Sequence, residues 1–126
     1  MKFHHIGIAC ENINEVIVFL ENTFRINRKS KIIWHEIQGV DACLLTNVDG
    51  TNIELVSGKN IESFVNKKQF LYHSCWEVDD INKSIKSFID NDSILISEPA
   101  PSLLFNNRRV AFLYTSIGIL ELLESE

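Results

Sequence analysis

Four residues in this chain could do chemistry together: His5, Glu54, His73 and Glu121. Each stands in a short apolar run of β-forming residues: FHHIGIA, NIELV, LYHSCW and ILELL respectively. A carboxylate inside such a run is costly to bury unless a partner or a metal ion offsets its charge. The spacing doubles the signal, because Glu54 follows His5 at nearly the distance at which Glu121 follows His73. Two imidazoles and two carboxylates at matching places suggest a pseudo-symmetric cluster on a twofold axis. Such a donor set suits divalent Zn, Mn, Fe, Co or Ni, and the sequence does not choose among them. Taken singly, the same residues also fit a plainer role, each His as a hydrogen-bonded core residue and each Glu as a rim or edge residue.

The elements that must position these side chains come in two similar sets. Residues 5–20, HIGIACENINEVIVFL, superpose without a gap on residues 73–88, HSCWEVDDINKSIKSF. His5 falls on His73, Glu11 on Asp79, Ile13-Asn14 on Ile81-Asn82 and Ile17 on Ile85. The strand ends match too, residues 52–56 on 119–123. Each half therefore reads as strand, helix, then three strands. In the first, Phe3–Ala9 is a strand, and Asn12 with Glu15 forms a capping box for a helix ending near Thr23-Phe24. Strands are expected at Lys29–Ile37, Val40–Thr46 and Thr51–Val56, with Asp49-Gly50 as a hairpin turn.

In the second half Phe70–Val78 is a strand. Asp79 or Asp80 caps a helix that turns Ile81, Ile85, Phe88 and Ile89 to one face. Strands follow at about Ser93–Ser97, Arg109–Tyr114 and Ile117–Leu123, and Pro99 and Pro101 are expected to break the chain in a loop. The expected organisation is one α+β domain made of two βαβββ modules, 1–57 and 70–126, joined by a polar linker at 58–69. Half of this chain would be marginal alone, so the modules are expected to fold as one.

Composition narrows the classes. The chain has 126 residues, 45% hydrophobic and 23% charged, which suits one ordinary folded domain rather than a disordered or fibrous chain. The net charge of −5 disfavours a nucleic-acid partner, whose binders carry a basic surplus. No apolar stretch approaches the length of a membrane span. Residues 1–5 enter an apolar alternation directly, with no signal-peptide pattern. Three widely spaced cysteines, Cys10, Cys43 and Cys75, form no disulfide framework and no Cys-x-x-Cys pair. Together these point to a cytoplasmic protein with buried free thiols.

The chain resembles the vicinal oxygen chelate superfamily, which includes glyoxalase I, fosfomycin-resistance proteins, extradiol dioxygenases and methylmalonyl-CoA epimerase. The likeness runs to the epimerase branch and spans nearly the whole chain. The segments FHHIGIACENI, QGV at 38–40, NIELVSG, LYHSCWEVDDI and RRVAFLYTSIGILELLE carry it. The resemblance implies two βαβββ modules forming a half-open β-cup, with His5, Glu54, His73 and Glu121 at the family's metal positions. Epimerases tend to carry Gln at the second of these, so Glu54 looks more like glyoxalase I. A three-ligand His-His-Glu set marks fosfomycin-resistance proteins and dioxygenases, and a fourth ligand argues against both. Some epimerases place a proton-shuttling Glu where Ala42 stands here, and Asp41 should face the other way.

The activity this implies is metal-dependent epimerisation or isomerisation by proton abstraction beside a carbonyl. Glu121 and Glu54 would serve as base and acid, and Arg109 or Arg108 would hold a substrate carboxylate or phosphate. Cys75, on the face of His73, would line the cup. His4 and His35 are expected as structural or edge residues. The substrate would be a small molecule such as an acyl thioester, and many relatives are homodimers. Two other readings share the fold: a glyoxalase I-like lyase, and a non-catalytic small-molecule-binding protein of the resistance type.

Overall fold

The structure, a computed structural model, describes all of residues 1–126. Nine strands and three α-helices make up an α+β chain. The chain divides into two compact units, His5–Tyr72 and His73–Glu126, the second including Met1–His4. Aromatic packing accounts for those first residues. Phe3 meets Trp76 edge-on with ring centroids 5.2 Å apart, and His4 meets Phe105 in the same way at 5.4 Å.

In the first half, β1 (Lys2–Ala9) leads into α1 (Ile13–Thr23). The Asn12 side chain accepts a hydrogen bond from the Glu15 backbone N–H at 3.1 Å, satisfying one of the helix's orphan donors. β2 (Ile26–Lys29), β3 (Ile33–His35), β4 (Val40–Asn47) and β5 (Asn52–Ser57) follow. Their order is β2-β4-β5-β1, with β3 also pairing β4. The single strand expected over Lys29–Ile37 is thus two. The break falls at Ser30, whose hydroxyl accepts from the Leu44 N–H at 2.9 Å and whose N–H bonds the Leu44 carbonyl. The β4–β5 hairpin turns at Asp49-Gly50 as expected, Gly50 supplying a φ of +91°. Ile13, Ile17 and Leu20 of α1 pack on Cys43, Leu45, Ile53 and Leu55. Residues 59–66, read from sequence as linker, form a 3₁₀ turn and the short α2 (Glu62–Asn66).

The second half comprises β6 (Leu71–Val78), α3 (Ile81–Asp90), β7 (Ile94–Ser102), β8 (Arg108–Thr115) and β9 (Gly118–Glu124). The strand order is β6-β9-β8-β7. Asp80 caps α3, accepting from the Lys83 N–H at 3.0 Å. Ile81 and Ile85 are buried with Ala111, Leu113 and Leu122, and Phe88 packs against them. Ile89 does not join them and is exposed, because at 3.6 residues per turn it stands about 80° around the helix from Ile81, whereas Phe88 stands within about 20°. Pro99 and Pro101 also depart from expectation. They lie within β7 instead of ending it. β7 is the edge strand, and its pairing with β8 is irregular between Ser97 and Ala100, so neither ring nitrogen has to serve the ladder.

No helix is long and apolar enough to cross a membrane. Packing on α3 sets a first test. Ile81→Ala should cost about 2–5 kcal/mol in urea unfolding, the usual range for emptying a tight core site. Ile89→Ala should change stability by less than about 0.5 kcal/mol.

Candidate functional site

Each half brings its own His and Glu together through one register. β1 and β5 run parallel, with Gly7 opposite Glu54. β6 and β9 run parallel, with Cys75 opposite Glu121. In both cases the residue opposite the Glu lies two positions beyond the His, so His and Glu project from the same face of neighbouring strands. The third strand repeats the pattern, placing Leu44 against Glu54 and Phe112 against Glu121. Gly7 and Cys75, like Leu44 and Phe112, are separated by the repeat offset of the two histidines. The duplication seen in sequence is therefore kept residue by residue in the strand pairing.

The distances agree as well. His5 Nε2 lies 3.2 Å from Glu54 Oε1, and His73 Nε2 lies 3.2 Å from Glu121 Oε1. All four are buried: His5 0%, Glu54 5%, His73 4% and Glu121 2% exposed. The His73 ring also stands edge-on to Phe112, with centroids 5.4 Å apart. Carboxylates this deep need a charge-compensating partner, and each has beside it an imidazole, which compensates only when protonated. The donor set also fits a divalent metal. Ligands held at about 2.0–2.2 Å from one ion lie roughly 3.0–3.5 Å from each other, the spacing of both pairs. Each of the four residues offers one ligand atom, an imidazole nitrogen or a carboxylate oxygen.

The other residues singled out in sequence fall as follows. Cys75 is fully buried opposite Glu121, so it lies beside the carboxylate. Arg109, expected at the substrate, does not share this face. Its strand position alternates away from Glu121, and it makes a two-pronged pair with Glu124 at 2.6 and 3.1 Å. The guanidinium holds the Glu124 carboxyl below its ordinary range. Arg108 is the arginine on the Glu121 face, 3.4 Å from Glu77. Glu77 was legible only as a residue sharing the strand face of His73; its pairing with Arg108 needs the β6–β9–β8 register. Ala42 shares the face of Glu54, through Val56, whereas Asp41 pairs with Ser57 and faces the other side, as expected.

The remaining thiols are packing groups. Burial pushes the Cys10 thiol up to about 11 and raises Cys43 above its ordinary value. A thiol held neutral is a poor nucleophile.

A family model described as the Glyoxalase/Bleomycin resistance protein/Dioxygenase superfamily matches residues 4–112, and the chain belongs to that superfamily. Among individual proteins, it is similar to the mitochondrial methylmalonyl-CoA epimerase of Dictyostelium discoideum, 26% identical over 119 residues, covering 90% of this chain and 70% of that one. Among solved structures, a hypothetical protein from Bacillus halodurans matches with a TM-score of 0.78 and 26% identity, covering 99% of this chain and 94% of that one. Methylmalonyl-CoA epimerase from Mycobacterium tuberculosis matches with a TM-score of 0.77 and 18% identity, covering 99% and 88%. That last likeness is one of fold. The glyoxalase-type fold implied by the resemblance is the fold of this chain.

The buried thiols give a second test. All three cysteines should resist a thiol reagent in the native protein at pH 8, and all three should react once it is unfolded. Rapid native labelling of Cys75 would contradict its placement beside Glu121.

Proposed function

We propose that this protein is a metal-dependent epimerase or isomerase that removes and returns the proton next to the carbonyl of an acyl thioester. His5, Glu54, His73 and Glu121 would hold one divalent ion. The observation that carries the proposal is the duplicated pair: a buried imidazole 3.2 Å from a buried carboxylate, in the same register in both halves. Superfamily membership and the likeness to a methylmalonyl-CoA epimerase support the reaction class.

When bound, the ion would supply Lewis-acid stabilisation for negative charge on a substrate carbonyl oxygen. The chain supplies the rest. Glu121 is the base that takes the α-proton, and Glu54 is the acid that returns one. Epimerisation needs two such groups, because the proton must leave one side of the planar enolate and return on the other. His5 and His73 stand 3.2 Å from the two carboxylates, the spacing of neighbouring ligands on one ion. The apolar strands around them exclude water, which strengthens each charge interaction and limits loss of the enolate. Three buried free thiols favour a reducing compartment, consistent with a cytoplasmic location.

The test is α-proton exchange of 2-methylmalonyl-CoA in heavy water. Deuterium should enter the α-position with metal-loaded protein, and chelation should stop it. Glu121→Gln should lower the rate by at least about 10²-fold, the usual scale for losing a general base. No exchange with any metal tried, or exchange indifferent to Glu121→Gln, would overturn the proposal. Glu54 favours one rival, since a carboxylate at this position looks more like glyoxalase I. Turnover of the methylglyoxal–glutathione hemithioacetal, without exchange on the acyl thioester, would assign that lyase activity instead.

A further inference from the structure

Arg108 and Glu77 form an ion pair on the Glu121 face of the second half, and the proposed chemistry leaves it unused. Glu77 lies two residues past Cys75, which sits opposite Glu121, so it shares the face of that carboxylate one side-chain row further along. Arg108 comes to the same row from β8. Its alternation runs through Val110 to Phe112, and Phe112 is opposite Glu121. Leu123 stands between them in that row, paired with Glu77 on one side and with Val110 on the other. The Arg108 Nη1 donates to Glu77 Oε1 at 3.4 Å, and its Nε donates to the Phe105 carbonyl at 3.3 Å. All of these residues belong to one compact unit.

Three features of this arginine point to a ligand. Its hold is loose. A guanidinium presents a planar fork of five donors, and both contacts made here lie at the long limit for a hydrogen bond. Arg109, its neighbour in sequence, shows the tight alternative, 2.6 and 3.1 Å to the two oxygens of Glu124. Its charge is also largely withdrawn from water: the Arg108 side chain is 16% exposed and that of Glu77 is 25% exposed. Two long bonds offset the desolvation of such a cation poorly. Finally, the fold does not need the pair. At the repeat offset of the two histidines, Arg108 corresponds to Val40 and Glu77 to Ala9, and both of those are buried apolar residues. The charges are an addition to one half, one row from the carboxylate assigned above as the base.

We infer that Arg108 is a specificity-determining residue that binds a carboxylate carried on the reacting carbon, and that Glu77 is a positioning residue that holds the guanidinium at this row. The inference rests on the epimerase reading above and adds the group that fixes how the substrate lies. The spacing suits that role. One row is about 7 Å along a strand. The α-carbon lies about 3 Å from the base that takes its proton. A guanidinium–carboxylate hydrogen bond adds about 2.8 Å, and a carboxylate attached directly to the α-carbon closes the remainder. The His–Glu pair recurs in both halves, whereas the anion anchor occurs in one. A substrate held at Arg108 is thereby committed to the base of that half, Glu121.

The experiment measures α-deuterium exchange and calorimetric binding of 2-methylmalonyl-CoA and of its neutral amide, 2-methylmalonamyl-CoA, with metal-loaded protein. Wild type should favour the acid. Arg108→Gln should cut that preference by about tenfold or more, the scale of one hydrogen bond to a charged group, by raising KM for the acid and leaving the amide unchanged. Arg108→Lys should restore part of the preference. Glu77→Gln keeps the cation and carries the test if Arg108→Gln fails to fold. It should raise KM for the acid by about threefold or more, with kcat nearly unchanged. A merely structural role would move acid and amide together. If wild type binds the acid over the amide without exchange, and Arg108→Gln loses that preference, the proposed activity fails and this inference stands. If wild type shows no preference, if both variants keep it, or if Arg108→Gln weakens acid and amide equally, as a lost contact to a carrier phosphate would, the inference is overturned.

Discussion

The structure depends on how a carboxylate survives inside an apolar strand. Glu54 and Glu121 are flanked by residues that form their half's core, and each is almost wholly buried. Unpaired, either would be a severe penalty to folding. The nearest polar group in each half is an imidazole at 3.2 Å, and it is delivered by the parallel neighbour strand rather than by a nearby residue in sequence. That is why the first and last strands of each half must lie side by side. The intervening helix makes a parallel neighbour possible, since parallel strands need a crossover. Helix capping at Asn12 and Asp80, packing of Ile17 and Ile85, and strand register all serve to bring one His beside one Glu.

One buried His–Glu pair is a common way to satisfy two polar groups. Under the proposed function, two copies would supply the two groups needed to move a proton from one side of a carbon to the other. The equivalence is not complete. The first half sets Gly7 beside its Glu, and the second sets Cys75 there, so the two carboxylates have unequal neighbours. An asymmetric substrate can use such a difference.

Much of this was readable in the sequence, for a definite reason. His5, Glu54, His73 and Glu121 stand out because charge and imidazole interrupt short apolar runs, and because the repeat pairs them. The helices were legible through Asn12, Asp80 and the isoleucine spacing. What failed to show depends on partners far along the chain. The break between β2 and β3 is made by Ser30 bonding to Leu44, and no local pattern announces it. Arg109 and Arg108 look interchangeable until strand alternation sends one to Glu124 and the other to the Glu121 face. Ile89 continues the helical spacing but stands at the side of the buried stripe and is exposed.

The prolines of β7 have a consequence of another kind. An edge strand offers a row of unused backbone donors on which a foreign strand can grow, and Ile94 and Ile96 are exposed on this one. Pro99 and Pro101 each lack a backbone donor, so this edge offers an incoming chain fewer hydrogen bonds. The strand is thereby protected from aggregation by residues whose first appearance suggested only a loop.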